Sequence, residues 1–137
     1  MARFEMEGFD ELLAEMKRMG ELSGEVADRM LMAGAEEVKK AWRQSAERVP
    51  HRVSGDLINS IDYTRKPKTA GDIRTIDIYP QGKDRKGVRN AEKAFILNYG
   101  TKTRTASHWV DDADKASGEP VMQAITAIWD EHLKGLE

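Results

Sequence analysis

The sequence has no cysteine and no long apolar segment. The missing thiols exclude disulfides and thiolate metal sites, and they fit a reducing compartment. The longest uninterrupted apolar run has four residues, as at residues 94–97, whereas a membrane helix needs roughly twenty such residues. Residues 1–13 mix acids with apolar residues and lack the apolar core of a signal peptide. We therefore expect a protein made in the cytosol, without a membrane partner.

The chain also has no large excess of charge of either sign. The 137 residues include 22 basic and 24 acidic residues, for a net charge of -2. A dedicated nucleic-acid-binding protein usually shows a basic excess, so no sequence-specific nucleic-acid partner is predicted. The length fits a single domain, residues 1–137, that can bury a core of its own.

Two helices are predicted in the first part of the chain. Phe9, Leu12, Leu13 and Met16 have the spacing of one helix face. A longer helical pattern covers residues 21–49, with the small residues 33–35 in its middle, where another element can approach closely. Pro50 ends it, because a proline disfavours helical geometry in the residue before it.

A short helix and a hairpin are predicted next. Ser54 or Gly55 can cap one or two turns that present Leu57, Ile58 and Ile61 to the core. Alternation over residues 61–66 and β-branched residues over 73–79 indicate two antiparallel strands. The turn-like residues 66–72 connect them, as a loop of about five to seven residues.

Residues 91–99 contain the apolar run and are predicted to cross the core. Asn90 can act as an N-cap, and Gly100 suits the left-handed position that closes a helix. We interpret the segment as a short buried helix. A buried strand stays open as the alternative, because a four-residue apolar run does not separate the two.

The C-terminal part is predicted to contain an edge strand over residues 102–107, a short helix near 107–116 and a longer helix from 119. Val121, Ile125, Ile128, Trp129 and His132 mark the buried face of the longer helix. Trp42 and Trp129 are at helical spacing and are assigned to the core. The predicted fold class is α+β, with a small, mostly antiparallel sheet packed against a long helix and a C-terminal helix.

One cluster has the residue types of a metal or acid–base site: His108, Asp111, Asp112 and Asp114. On a helix, His108 and Asp112 share a face, which keeps a metal-dependent hydrolase open as an alternative. Acids near the positive end of a helix explain the same aspartates without a metal, and this interpretation is favoured. No nucleophile motif or phosphate-binding glycine pattern is present. We predict no catalytic residue, no metal site and no cofactor.

Residues 80–89 form a charged segment, predicted as a mobile surface loop. The basic stretch 83–93 can contact nucleic acid or an acidic protein surface, which gives a second alternative, a small nucleic-acid-binding or toxin-like regulator. A solvated turn is the simpler interpretation.

The order of several short motifs resembles one family. These motifs are Gly8-Phe9-Asp10-Glu11-Leu12-Leu13, the long helix ending at Val49-Pro50, the stretch Ser54-Gly55-Asp56-Leu57-Ile58-Asn59-Ser60-Ile61, Tyr99-Gly100-Thr101, and Ala106 followed by Trp109. The chain thereby resembles the head–tail joining and tail-completion proteins of long-tailed bacteriophages and prophages, also called minor tail or neck proteins.

The resemblance implies a non-enzymatic subunit of the virion that assembles into a ring, commonly a hexamer, at the junction of head connector and tail. Its partners are then copies of itself together with connector and tail-tube proteins, and its location is the virion, after synthesis in the host cytoplasm. The candidate assembly interface comprises Lys83, Arg85, Lys86, Arg89, Thr101, Lys102, Arg104 and Trp109.

Overall fold

A computed structural model describes residues 24–49, 55–70 and 73–135, together with the short strand Arg3–Phe4. The helix predicted around residues 9–16 lies outside the described residues. Within them the fold is α+β, as predicted: two long helices pack against each other and against a small antiparallel sheet.

The two long helices are α1, Gly24–Glu47, and α4, Trp109–Gly135. Helix α1 confirms the long helical pattern, and the small residues in its middle have the predicted use. A Cβ atom added to Gly34 would lie 3.3 Å from Val121 Cγ1 and 3.4 Å from Ile125 Cδ1, both on α4. Gly34 therefore lets the two helices approach closely.

Strand β4, Ile73–Pro80, is the centre of the sheet, because every other strand pairs with it in antiparallel fashion. Strand β1, Arg3–Phe4, pairs around Ile76 and Asp77. Strands β2, Ile61–Tyr63, and β3, Lys68–Ala70, pair with the two ends of β4. The pairing of β2 with β4 confirms the predicted hairpin, but the predicted loop over residues 66–72 is wrong, because β3 lies within it and pairs with β4.

The core lies between α1, α4 and the sheet. Ile76 and Ile78 of β4 are about 1% exposed, and the short helix α2, Gly55–Ser60, contributes Leu57 at 1%. Trp42 of α1 and Trp109 of α4 meet edge to face, with ring centroids 5.8 Å apart. Such aromatic pairs stabilise a core beyond the area they bury, by about 1 kcal/mol.

Helix α3, Asn90–Tyr99, settles the open choice for the apolar run in favour of a helix. The predicted N-cap is wrong: Arg89 occupies the cap position, and the Asn90 side chain instead donates through Nδ2 to the Gln81 carbonyl at 2.9 Å. Gly100 closes the other end with φ 77°, and its N–H bonds the Ile96 carbonyl at 2.8 Å.

Two predictions for the C-terminal part are wrong. Residues 102–107 are not a strand, because their backbone completes the end of α3: Ser107 N–H bonds the Leu97 carbonyl at 2.9 Å. The two predicted helices are one, since α4 continues through Pro120. Buried residues on both sides of the proline, including Ala113, Ser117, Val121 and Ile125, form one stripe against α1, and this packing outweighs the local cost of the proline.

Candidate functional site

Helix α3 is buried on one side and apolar on the other. Ala94 and Leu97 are 4% and 8% exposed, whereas Phe95 and Tyr99 are 63% and 60% exposed and Ile96 is 36% exposed. The rings of Phe95 and Tyr99 contact each other, with centroids 4.6 Å apart. We call Phe95, Ile96 and Tyr99 the α3 ridge. The prediction that the whole apolar run is buried is therefore wrong for the ridge.

A groove lies between the α3 ridge and the end of β4. It consists of two adjoining depressions of about 220 Å³ each, which share Tyr79, Pro80 and Ala91. Phe95 and Tyr99 line one depression, which is mainly apolar. Lys83 and Arg89 line the other. The α3 groove therefore has an apolar end and a cationic end.

The loop over residues 81–89 has a defined hydrogen-bonded geometry. Lys83 and Arg89 form an isolated antiparallel bridge, and Asn90 N–H bonds the Gly82 carbonyl at 3.0 Å. Asp84 organises the turn between them, because its carboxylate accepts from the backbone of Lys86 and Val88 at 2.9 Å. It also accepts from Lys93 Nζ at 2.7 Å, and this bond, with those from the backbone, lowers the pKa of Asp84.

A second ion pair fixes the loop to helix α2. Arg85 Nε and Nη2 donate to the two carboxylate oxygens of Asp56, both at 2.8 Å. This bidentate bond lowers the pKa of Asp56 to about 2 and raises that of Arg85. Among the described residues, Lys83, Lys86 and Arg89 form no such ion pair and are exposed. Arg85 is thus engaged within its own chain, whereas its basic neighbours face solvent.

The other predicted basic residues follow the opposite end of α3. Thr101, Lys102 and Arg104 are exposed, and Thr101 Oγ1 accepts from the Arg104 backbone N–H at 3.1 Å in a tight turn. A ten-residue helix separates the two basic segments, a distance of about 15 Å. The structure therefore places one basic segment at each end of the α3 ridge.

Trp109 does not belong to this surface. Its side chain is 2% exposed, contacts Trp42, and donates through Nε1 to the Ala94 carbonyl at 3.3 Å. Its inclusion in the candidate assembly interface is therefore wrong, because the indole holds α3 and α4 together in the core.

The candidate metal cluster also has a structural explanation. His108 is exposed with φ 56°, and its Nδ1 lies 3.1 Å from Asp111 Oδ2, not beside the Asp112 carboxylate. Asp112 contributes its backbone N–H to the His108 carbonyl at 2.9 Å, and Asp114 accepts from Trp42 Nε1 at 3.0 Å. Within the described ranges, no group of three or more His, Asp or Glu side chains converges as metal ligands would.

A separate cavity of about 400 Å³ lies beside the end of α1. Ser45, Arg48, Leu97, Arg104 and Ser107 are among its lining residues. Ser45 and Ser107 already donate to the carbonyls of Trp109 and Leu97, each at 2.6 Å. The Ser107 hydroxyl thus holds the segment before α4 against α3, and the Ser45 hydroxyl holds the start of α4 against α1. We assign no chemical role to the cavity.

Sequence reasoning identified the basic residues of this surface but missed the α3 ridge. The signal was present: Phe95 and Tyr99 are separated by one helical turn, and Ala94 and Asn98 form the adjacent row of the same helix. Burial of Ala94 and Asn98 requires the aromatic row to turn outward.

None of the helices in the described part of the chain is long and apolar enough to cross a membrane. No protein-family model, curated protein or solved structure matches the chain.

Proposed function

We propose that this chain is a structural subunit of a phage or prophage virion, which joins head and tail by assembling with copies of itself into a ring. The observation that carries the proposal is the α3 ridge: three large apolar side chains on one exposed helix face, beside a groove. The rings of Phe95 and Tyr99 contact each other, and an exposed apolar patch of this kind marks an interaction site. The proposed role is non-enzymatic and uses no cofactor.

The order of the motifs supports the same role. Within the motif over residues 54–61, residues 55–61 form helix α2 and the start of β2, and Tyr99-Gly100-Thr101 ends α3. Both motifs therefore border elements that carry the surface: α2 holds the loop through Asp56, and α3 presents the ridge. A ring requires one surface patch to meet a different patch on the next copy.

Electron microscopy of the purified protein tests the proposal. We expect closed rings of one diameter, because a heterologous contact with a fixed rotation closes on itself. A protein that forms only monomers, or open filaments of irregular length, would contradict it.

Deletion of residues 83–89 gives a variant that tests the role of the loop in ring formation. The ends of the deleted segment already meet, since Asn90 N–H bonds the Gly82 carbonyl at 3.0 Å, so the chain can be rejoined with little rearrangement. We expect the variant to fold, with an unchanged helical circular-dichroism spectrum, and to lose ring formation. Rings that form normally without this loop would remove the loop from the proposed interface.

The regulator alternative is less well supported by the charges. Within the basic stretch 83–93, Arg85 is neutralised by Asp56 and Lys93 by Asp84. A gel-shift assay at low salt tests it: binding that weakens steeply with salt would favour nucleic-acid recognition.

A further inference from the structure

We infer that the α3 ridge and groove of one copy dock onto the outward face of helix α4 of a second copy. The inference rests on the proposed function, which requires self-association, and it identifies the two surfaces that meet. It is carried by the charges and apolar residues of both surfaces and by their matching lengths.

The two surfaces carry opposite charge. Residues 83–104 contain seven basic and two acidic residues, a net charge of +5. Helix α4 contains six acidic and two basic residues, a net charge of -4 with neutral histidine. A protein with an overall charge of only -2 thus separates its charges into two segments that attract each other between copies.

The cationic end of the groove is suited to bind an anionic partner. Lys83 and Arg89 are direct partners in an antiparallel bridge, so their side chains leave the backbone side by side. Like charges in this position repel, and no acid among the described residues forms an ion pair with either side chain. An acid from a second copy would relieve this repulsion.

The outward face of α4 has the complementary pattern. Glu119, Met122, Thr126 and Asp130 lie at i, i+3, i+7 and i+11, opposite the stripe that packs on α1, and all four are exposed. Met122, at 42%, is the large exposed apolar side chain of this helix. Along the length of this face, an acidic residue is thus followed by an apolar residue, a polar residue and a second acidic residue.

The dimensions of the two patterns agree. The acids Glu119 and Asp130 are separated by eleven residues of helix, about 16 Å. The basic segments that flank the α3 ridge are separated by the ten residues of α3, about 15 Å. Each acid can therefore reach one basic end while Met122 contacts the apolar ridge between them.

A single-stranded nucleic acid is the other anionic partner that aromatic rings beside basic residues accommodate. The geometry favours the protein partner, because Phe95 and Tyr99 contact each other and are not spread apart for bases to stack between them. The acidic face of α4 would also repel a phosphate backbone.

Charge exchange between two variants tests the pairing. One variant carries Lys83→Glu, Arg89→Glu, Lys102→Glu and Arg104→Glu, and the other carries Glu119→Lys and Asp130→Lys. Each reversal places like charges across the contact, so we expect each variant alone to self-associate roughly 10- to 100-fold more weakly than the wild type in sedimentation velocity. An equimolar mixture should regain assembly, since every contact between unlike copies then joins opposite charges.

The controls separate this inference from the proposed function. Lys40→Glu with Lys66→Glu reverses two exposed charges away from both surfaces and should assemble as the wild type does. Phe95→Ser with Tyr99→Ser changes exposed residues only, so it should keep its helical spectrum and lose assembly.

Three results would overturn the inference. Wild-type rings with unaffected reversal variants would reject these surfaces and leave the proposed function intact. Folded variants that lose assembly but do not recover it on mixing would reject the pairing of α3 with α4. A wild type that stays monomeric and shifts an oligothymidylate would reject both the inference and the proposed function.

Discussion

Gly34 gives a quantitative test of the contact between α1 and α4. Replacement of a glycine in a helix interior by alanine stabilises the helix by about 0.5–1 kcal/mol. The new Cβ at position 34 would lie 3.3 Å from Val121 Cγ1, a few tenths of an ångström inside an ordinary carbon contact. Val121 is stiff at χ1 in a helix, so the clash offsets the gain. We expect Gly34→Ala to change the free energy of unfolding by less than about 0.5 kcal/mol, because the two effects nearly cancel.

Gly118 is the matched control. It lies in α4, and a Cβ added there meets no atom within 4 Å. Gly118→Ala should therefore show the full gain of about 0.5–1 kcal/mol. Urea denaturation monitored by tryptophan fluorescence measures both variants, and an unchanged m-value confirms that the same surface is exposed on unfolding.

A double-mutant cycle isolates the clash. Val121→Ala removes two buried methyl groups and should cost about 2–3 kcal/mol, including the cavity that it leaves. In that background the new Cβ at position 34 no longer meets a Cγ atom at position 121, and it fills part of the cavity. We expect a favourable coupling free energy of about 1 kcal/mol. Equal gains from Gly34→Ala and Gly118→Ala, with no coupling to Val121→Ala, would refute the close approach of the two helices.

Two further predictions concern the carboxyl group of Asp114 and a glycine at a helix end. Partial desolvation raises the pKa of Asp114, although the hydrogen bond from Trp42 Nε1 opposes the rise. The folded protein therefore holds this proton more tightly than the unfolded chain and loses stability as the pH rises through the folded pKa. Asp114→Asn should therefore stabilise the protein at pH 7, with a gain that shrinks toward pH 4 and stays below about 0.5 kcal/mol, because solvent screens a residue this exposed. Asp112→Asn removes the same charge two residues earlier and should show no such gain. A pH series of thermal melts measures both variants, and a gain that grows on acidification would contradict a raised pKa of Asp114. Gly100→Ala should lower the free energy of unfolding by at least about 2 kcal/mol, because φ is 77° and the new Cβ would lie 2.6 Å from the Arg104 carbonyl oxygen. Gly82→Ala, at φ 69° with no atom near the new Cβ, should lower it by only about 1 kcal/mol. Urea denaturation measures both variants, and equal losses would contradict the close contact at Gly100.

Sequence patterns correctly predicted the elements whose buried residues recur at helix or strand spacing. The long helix α1, the short helix α2 and the strands around Ile61 and Ile76 were confirmed, because each has an apolar spacing that fits one type of structure. The apolar run over residues 94–97 was different. Its four residues include both faces of α3, and only the packing of Ala94 and Leu97 decides which face turns inward.

The remaining errors arise where contacts distant in sequence override local preference. Pro120 indicates a helix start, yet the stripe that packs on α1 continues through it. Residues 102–107 favour a strand, yet their backbone is used to complete the end of α3. Asn90 favours a cap, yet Gln81 offers its side chain a carbonyl. In each case the partner lies outside the short stretch of sequence on which the prediction was based.

The candidate surface was likewise only partly predictable from the sequence. Its basic residues were visible as a charge pattern, whereas the neutralisation of Arg85 by Asp56 joins residues 29 positions apart. The burial of Trp109 likewise depends on Ala94 and Trp42. Composition therefore locates the charges, and the fold decides which of them are free to meet a partner.

The solution mass, measured by light scattering across a wide concentration range, tests self-assembly most directly. We expect conversion of the 15.5 kDa monomer into one closed species whose mass is a fixed multiple of that value, with a midpoint that shifts to higher concentration as salt is added. A mass of 15.5 kDa at every concentration, or growth without a limiting size, would contradict it.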